Sequence, residues 1–404
     1  MLEKRARAEN NSFESASVCK QVLEAAWKAR NLAKLREWLP MLVRRRGQAK
    51  QAVQEMVKLC VDTYLPELAA QSREETFWML AVLREVSEGK MFLEGEFAQC
   101  TRQLCEMHES DGKLEEACKI IQEIQIETYG SLKNKDKVLF ILYQMKLVLA
   151  RQDYVRLQIL SRKIVAKALQ EEGLEQAKVE YWEFLVKFYV HEKDYLNAAT
   201  AHRTIYDECV KSNLQSPDYR ARAFQNFVVY LLVSPYAGEK VALLTTLEAV
   251  YARELEKEPL LARLVRKLLT FELMPMDEAE LEANTACFEP FNAQQKHHLR
   301  ELFKQLIQHN MRVIEKFYSR IRLERLAVLV GVSQARAEQE ICDMVVKKLV
   351  SAKINRMEGV VAFNQKRKTA NEQLSAWNAD IKTTLELVES TCHLINRDII
   401  TERA

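Results

Sequence analysis

The chain contains 404 residues, of which 48% are hydrophobic and 29% are charged, the composition of an ordinary soluble protein. Only 9 glycines and 7 prolines are available to break helices, so the sequence predicts a mostly α-helical protein. The length is too great for one compact core and favours either a few modules or an elongated solenoid. The 60 basic and 57 acidic residues leave a net charge of +3, which excludes a strong bulk attraction to nucleic acid or to an anionic membrane.

The cysteines and the N-terminus indicate a reducing compartment. The 9 cysteines are odd in number and follow no repeating frame, so we expect free thiols rather than a disulfide framework. The N-terminal residues MLEKRARAENNSFES lack the apolar core of a signal peptide, and no apolar run approaches the roughly 18 residues that a membrane-spanning helix needs. The sequence therefore predicts a protein of the cytoplasm and nucleus.

Three stretches in the first half of the chain resemble one another, because each places a charged or polar break before a Leu or Tyr that opens a helix. They are DGKLEEACKII, RQDYVRLQILSRKI and EKDYLNAATAHRTIY. Aligning Leu114, Tyr154 and Tyr195 gives two nearly equal steps of about 40 residues each. Leu32 lies two steps of the same size before Leu114, although the unit between them is too degenerate to place. These steps suit a two-helix repeat of the tetratricopeptide type, so we predict a right-handed helical solenoid over residues 1–215.

The segment after Pro290 predicts a winged helix. Its expected elements are a helix over about 292–318, an extended piece at Ile321, a helix over 323–329, a helix that follows Ser333 and runs through Leu349, and the strands AKIN and GVVAF. Ser333 is suited to cap the third helix, and Gly359 can take the positive φ of a tight hairpin turn. We place the winged helix at about residues 310–366.

Many winged helices read DNA, but the charges on the third predicted helix argue against that use. A DNA-reading helix carries clustered Arg and Lys, whereas the first half of this one is acidic enough to repel phosphates. Its charged residues are Arg336, Glu338, Glu340, Asp343, Lys347 and Lys348. The alternative is a nucleic-acid-binding winged helix with a steep salt dependence of affinity. The cations that would carry that affinity are Arg336, Lys347, Lys348 and Lys353.

A β-hairpin at the edge of a domain presents unpaired backbone N–H and C=O groups, which form a template for strand addition. We therefore predict that residues 352–363 meet a neighbouring protein, while some of their apolar side chains cover the module's own small core. The predicted contact residues at this winged-helix edge are Lys353, Ile354, Asn355, Val360 and Val361.

The C-terminal residues 371–403 predict a long amphipathic helix of roughly 50 Å. Its apolar residues are separated by three or four positions, nearly the spacing of a coiled-coil seam. This seam consists of Leu374, Trp377, Ile381, Leu385, Val388, Cys392, Ile395 and Ile399. A free helix with such a stripe in water invites association, so we predict that the seam binds partner helices. The alternative is that the helix folds back on the solenoid of its own chain.

Motifs for phosphate binding and catalysis are missing from the sequence. It contains no Gly-x-Gly-x-x-Gly, no Gly-x-Ser-x-Gly and no His-Glu-x-x-His. Cys100, Cys105 and His108 come nearest to a ligand cluster, but helical spacing puts the two thiols on different faces and favours buried thiols over a metal site. We expect no catalytic, cofactor-binding or metal-binding residue.

A helical solenoid that leads into a winged helix and a long seam helix resembles the PCI family, found in the proteasome lid, the COP9 signalosome and a translation initiation factor. Matching segments span most of the chain and are most similar to a subunit of the proteasome lid. They include RRRGQAKQAVQEMV, QIETYGSL, FILYQMKLVLARQDYVRLQILSRKI and HNMRVIEKFYSRIRLERLAVLVGVS. The resemblance implies a PCI module over residues 216–368 and a C-terminal bundle helix over residues 369–404.

The function that this resemblance implies is that of a non-catalytic scaffold in the proteasome lid, supporting ubiquitin-dependent protein degradation. Subunits of the family align their winged helices edge to edge and gather their C-terminal helices into one bundle. The implied partners, in a hetero-oligomer, are the other lid subunits, including the metalloprotease deubiquitinase, with core-particle α subunits and the ATPase ring. A PCI subunit of the COP9 signalosome is the alternative, because the same architecture would serve there.

Overall fold

The computed structural model describes residues 12–165, 168–171, 173–212, 215–274, 290, 296–363 and 370–403. Most of these residues are helical, and the chain divides into two compact units, Met1–Leu231 and Leu232–Ala404. The predicted fold class is confirmed: helical repeats come first, followed by a winged helix and a long C-terminal helix. The finer division into domains at residues 215 and 368 stays a prediction.

The first unit consists of consecutive helices that pack against their neighbours in the chain. They are α1 (Ser12–Lys28), α2 (Leu32–Arg44), α3 (Lys50–Leu59), α4 (Leu65–Gln71), α5 (Arg73–Ser87), α6 (Glu94–Ser110), α7 (Leu114–Gln122), α8 (Asn134–Ala150), α9 (Tyr154–Lys163), α10 (Glu175–His191), α11 (Tyr195–Ser212) and α12 (Pro217–Val233), whose last two residues belong to the second unit. A π-helix, Cys60–Tyr64, joins α3 to α4.

The predicted repeat starts are helix starts. Helices α2, α7, α9 and α11 begin at Leu32, Leu114, Tyr154 and Tyr195. In each case the residue two positions earlier has a left-handed backbone conformation, with φ between 50° and 75°. These four residues are Arg30, Gly112, Gln152 and Lys193. The break seen in the sequence is therefore one repeated backbone turn.

Hydrogen bonds define this turn as a Schellman motif, in which the residue after the left-handed one donates to a carbonyl five positions back. Asp153 N–H donates to Val148 O at 3.2 Å, and Asp194 N–H donates to Tyr189 O at 2.9 Å. The carboxylates of the same two aspartates then accept backbone N–H groups in the first turn of the next helix. Each aspartate thus helps to end one helix and to begin the next.

The repeat unit that the sequence did not locate begins at α5. Its first residue, Arg73, lies midway between Leu32 and Leu114, one repeat step from each. Here the helix start depends on Ser72, whose extended backbone (φ −148°) and hydroxyl oxygen cap the helix by accepting from Glu75 N–H at 3.5 Å. A serine cap without a left-handed turn leaves a weaker pattern, which explains why this unit was missed.

Apolar side chains of the first unit form successive clusters along the chain, and polar contacts between neighbouring repeats run beside them. Lys146 Nζ lies 2.9 Å from Glu109, and Lys163 Nζ lies 2.6 Å from Glu127. Such partly exposed pairs contribute little stability singly, so burial of the clusters holds the repeats together.

The second unit begins with three helices and continues into the winged helix. Its elements are α13 (Gly238–Val250), α14 (Ala252–Leu255), α15 (Pro259–Thr270), α16 (Lys296–Phe317), β1 (Arg320–Arg322), α17 (Leu323–Val330), α18 (Gln334–Val346), β2 (Ala352–Asn355), β3 (Val360–Phe363) and α19 (Ala370–Arg403). The expected start of the long helix at about 292 falls outside the described residues.

The third helix of the winged helix, α18, is shorter than the sequence indicates. Ser333 caps it as predicted, with its hydroxyl oxygen accepting from Arg336 N–H at 3.4 Å. The prediction that it continues through Leu349 is wrong, because the helix ends at Val346 and Lys348 takes a left-handed φ of 58°. Gly359 has the predicted positive φ, 62°, in the hairpin turn. No helix among the described residues is long and apolar enough to cross a membrane.

Candidate interaction surfaces

The three strands of the winged helix form an antiparallel sheet in the order β1-β3-β2. Strand β3 is therefore central, and Val360 and Val361 do not lie at an edge as the sequence suggested. Val361 pairs with Ile321 on one side and with Ile354 on the other. Of the two hairpin strands, only β2 lies at an edge of the sheet, and it carries the predicted contact residues Lys353, Ile354 and Asn355.

The hydrogen-bond alternation of the sheet identifies which backbone groups of β2 face outward. Phe363 N–H donates to Ser319 O at 2.9 Å, so the odd-numbered residues of β3 bond to β1. The even-numbered residues of β3 consequently bond to β2, where Ala362 opposes Lys353 and Val360 opposes Asn355. It follows that Ala352 and Ile354 direct their N–H and C=O groups away from the sheet.

Side chains of β2 alternate between the core and the solvent. Ala352 and Ile354 are half-buried on the face that they share with the buried Val361 and Phe363, whereas Lys353 and Asn355 are exposed. The strand is short and carries an exposed lysine, two features that discourage indiscriminate pairing of strand edges. A neighbouring strand could therefore add to β2 without disturbing the core of the winged helix.

The exposed face of α18 is poorly suited to nucleic acid. Arg336 places its guanidinium carbon 4.8 Å from the centre of the Phe303 ring, so it packs against the module's own helix α16. Glu338 accepts from Arg356 Nε at 2.6 Å and keeps a carboxylate on the face that phosphates would approach. Lys347 and Lys348 are exposed but follow the end of the helix.

The seam of the C-terminal helix α19 is open to solvent. Its seven apolar residues other than cysteine have exposed fractions between 42% and 67%, and Cys392 is exposed too. These residues are Leu374, Trp377, Ile381, Leu385, Val388, Ile395 and Ile399. The alternative, that the helix folds back on the solenoid of its own chain, stays a prediction.

Two further exposed apolar residues of α19 were not selected from the sequence. Leu387 and Leu394 lie two helical turns apart and are 64% and 48% exposed. At about 100° per residue they lie roughly 100–140° away from the middle of the seam. The second half of α19 therefore presents a broader apolar surface than the first half. The spacing of Leu387 and Leu394, two helical turns apart, could have predicted this surface from the sequence.

The candidate metal ligands Cys100, Cys105 and His108 pack in different surroundings. Cys100 and Cys105 are both fully buried, but in different apolar clusters, the first shared with helices α1–α6 and the second with helices α6–α10. Burial raises the pKa of both thiols to about 12, so both stay protonated. Phe77 packs edge-on against the His108 ring, with centroids 5.2 Å apart. The described residues contain no group of three His, Cys, Asp or Glu side chains that could hold a metal ion.

Comparison with known proteins covers the solenoid, the winged helix and the seam helix. The family model "PSMD12/CSN4, N-terminal" matches residues 1–213, and the PCI domain model matches residues 275–365. The 26S proteasome regulatory subunit RPN5 of Saccharomyces cerevisiae is 31% identical over 99% of this chain and 89% of its own length. This chain belongs to the RPN5 family of PCI subunits.

Other RPN5-family relatives match to the same extent. The 26S proteasome non-ATPase regulatory subunit 12 homolog A of Arabidopsis thaliana is 30% identical over 100% of this chain and 95% of its own length. The 26S proteasome non-ATPase regulatory subunit 12 of Dictyostelium discoideum is 28% identical over 99% of this chain and 88% of its own length. A separate family model, "26S proteasome regulatory subunit RPN5 C-terminal domain", matches residues 371–401, nearly all of α19. The resemblance found in the sequence is thereby confirmed.

Proposed function

We propose that this chain is a non-catalytic scaffold subunit of the lid of the 26S proteasome regulatory particle, supporting ubiquitin-dependent protein degradation. The observation that carries this proposal is the solvent-exposed seam of α19, in a segment with its own RPN5 family model. Curated relatives that align with nearly the whole chain are named as proteasome regulatory subunits. A helix of 34 residues with an open apolar stripe is built for association.

Burial of the seam would supply much of the assembly energy. Each large apolar side chain contributes roughly 1.5–3 kcal/mol when it passes from full exposure to full burial. The seven seam residues are already partly covered by the helix itself, so their gross contribution is on the order of 10 kcal/mol before ordering and association costs. That is sufficient for a stable place in a helical bundle, and the broader second half suits contact with more than one helix.

The winged-helix edge provides the second proposed contact. A strand from a neighbouring subunit would add to β2 and accept or donate at Ala352 and Ile354, whose backbone groups face outward. The exposed side chains of Lys353 and Asn355 would then help to select the neighbour, because strand addition alone is not specific. Val360 and Val361 support this edge from the central strand.

The proposed partners are the other lid subunits, including the metalloprotease deubiquitinase, with core-particle α subunits and the ATPase ring. We place the protein in the cytoplasm and nucleus, where these assemblies act. In this role the chain performs no chemistry of its own: it holds an enzyme in position. Nucleic acid is not among the proposed partners, because Arg336 packs internally and Glu338 lies on the face of α18.

The test is mass spectrometry of the proteins that co-purify with a gently tagged full-length chain from its own cells, in moderate salt and with nucleotide present. Recovery of lid, ATPase and core-particle subunits in near-equal amounts is the expected result. Recovery of COP9 signalosome subunits in stoichiometric amounts, or of nucleic acid without stable protein partners, would contradict the proposal and favour one of the two alternatives.

A further inference from the structure

A partly enclosed cavity in the second unit is lined by two cationic side chains. It has a volume of about 50 Å³, more than the roughly 10–15 Å³ that a single water molecule requires. Residues of α12, α13, α15 and α16 line it. Half of the lining residues are leucines, but Lys240, Arg312, His309 and Gln305 also reach the cavity, and no carboxylate is among the described lining residues.

Lys240 is buried, with 4% of its surface exposed. Its ammonium group donates to Leu232 O at 2.8 Å and to Ser234 O at 2.6 Å, which satisfies carbonyls at the end of α12. An ammonium group has three N–H donors, so one donor remains for the cavity. Burial, together with the nearby Arg312, lowers the pKa of Lys240 to about 7, because this site disfavours an uncompensated cation.

Arg312 brings a second cation to the same cavity. Its guanidinium carbon lies 3.4 Å from the centre of the Tyr236 ring, and its Nε donates to Gln308 O at 3.3 Å. Its Nη1 atom is fully buried and has no hydrogen-bond partner among the described residues. Glu315 is the carboxylate that acts on Arg312, and it also accepts a hydrogen bond from Ser351 N–H at 3.1 Å.

A third polar group of the lining lacks a partner as well. Gln305 Oε1 is buried without a hydrogen bond to any described residue. The oxygen and nitrogen of a glutamine amide are exchangeable by rotating the group, and the rotated amide would direct an N–H donor to the position that Oε1 now occupies. His309 does not add charge, because burial lowers its pKa to about 4 and its Nε2 donates to Glu272 O at 3.1 Å.

Lys240 is a buried cation with an unused donor, and the half-buried Arg312 adds a second cation whose Nη1 is buried and unpartnered among the described residues, whereas Glu315 offsets only one of these two charges. Buried charges are normally paired, so the site calls for one further negative charge. We propose that this cavity binds a small inorganic anion, such as chloride, held by Lys240, Arg312 and the rotated amide of Gln305. The anion would join the end of α12 to α16 electrostatically, and its binding would stabilise the folded second unit by mass action.

The first experiment measures the melting temperature of the full-length chain at constant ionic strength and pH 7.0, replacing sodium gluconate stepwise by sodium chloride, bromide or phosphate. We expect chloride and bromide to raise the melting temperature saturably by about 3 °C or more, since a ligand specific for the folded state does so. A phosphate effect that exceeds the chloride effect would identify the anion as an oxyanion. Equal melting temperatures in all four salts would overturn the proposal and leave a cavity that holds water.

Variants separate the site from general salt effects. Lys240→Met and Arg312→Gln each remove one cation and should lose the anion-dependent rise, whereas Lys257→Met removes an exposed lysine of the same unit and should keep it. A Lys240→Met chain with the full wild-type rise would contradict the assignment. If the cavity variants do not fold, crystals of the wild-type chain soaked in bromide decide: an anomalous peak between Lys240 Nζ and Arg312 Nη1 supports the site, and its absence refutes it.

Discussion

At the scale of single residues, the repeated Schellman turn stores strain at three of its four occurrences. Gly112 takes its left-handed conformation without a steric cost, but Arg30, Gln152 and Lys193 bring a Cβ atom into the same conformation. Each costs about 1 kcal/mol relative to a relaxed backbone, and the hydrogen bonds of the motif hold it in place.

Substituting Lys193→Gly should therefore stabilise the first unit. We expect the free energy of unfolding to rise by roughly 0.5–1 kcal/mol, since removing the Cβ strain outweighs the added entropy of glycine in the unfolded chain. Urea unfolding followed by circular dichroism measures the change. The matched control is Gly112→Ala, which introduces the same strain into an equivalent turn and should destabilise by a similar amount. A destabilised Lys193→Gly chain would show that the lysine side chain matters more than the backbone.

Two histidines, the half-buried His202 and the buried His309, should make stability depend on pH below neutrality. Burial lowers the pKa of His202 and of His309 to about 4, against about 6.5 in an unfolded chain. Between these values the unfolded chain binds more protons, so stability is fully present above pH 6.5 and is lost as the pH falls toward 4. The loss is on the order of 2–3 kcal/mol for each histidine.

The measurement for this prediction is urea unfolding at pH values from 4.5 to 8. His202→Gln should reduce the slope of stability against pH within the window, because carboxylate contributions are the same in both chains and cancel in the comparison. His393→Gln, at an exposed position of α19, serves as the control and should leave the slope unchanged. Identical slopes for the wild-type and His202→Gln chains would contradict the lowered pKa of His202 in the folded chain.

At the scale of elements, the sequence was informative where one local pattern decides the structure. The repeat starts at Leu114, Tyr154 and Tyr195 could be found because a turn and a cap act within a few residues of each other. The start of α5 could not, because Ser72 caps it without a left-handed turn. The end of α18 was misplaced because Lys348 takes a left-handed conformation that its residue type does not signal.

The sequence predicted the strands of the hairpin but not which of them lies at the edge of the sheet. The strands AKIN and GVVAF were recognisable, but nothing local shows that the three-residue strand β1, with exposed Arg320 and Arg322, pairs with β3 and makes it central. Such pairing joins residues about 40 positions apart in the chain. The prediction of Val360 and Val361 as edge residues failed at this step.

Proline substitutions on β2 test which backbone groups meet a neighbour. Ala352→Pro removes an N–H group that faces outward and lies at the first strand position, where proline is tolerated, so the isolated chain should keep its stability but incorporate poorly into the lid. Lys353→Pro removes an N–H group bonded to β3 and should destabilise the winged helix by about 1–3 kcal/mol. Thermal unfolding and co-purification yields distinguish the two. Normal incorporation of the Ala352→Pro chain would show that no strand adds at this edge.

At the scale of the whole molecule, architecture was easier to infer than the positions of buried charges. Helical repeats, a winged helix and a seam helix each leave a periodic pattern, and their order resembles one family. The cavity around Lys240 and Arg312 leaves none, since its residues lie far apart in the chain and meet only after folding. The seam of α19 needs both the sequence and the structure to be understood. Its apolar spacing predicts that these side chains are buried, yet they are exposed to solvent in this structure, so we infer that a partner covers them.

The seam also yields the sharpest test of assembly. Leu385→Asp with Val388→Asp places two charges where a bundle would bury them, so incorporation into the lid should be abolished. Both side chains are more than half exposed, at 63% and 54%, so the isolated chain should unfold within about 0.5 kcal/mol of the wild type. The control, Ser375→Asp with Ala379→Asp, adds two charges roughly 120–160° away from the seam, in the half of α19 that lacks Leu387 and Leu394, and should assemble normally. Wild-type co-purification of the seam variant would show that α19 is not the anchor.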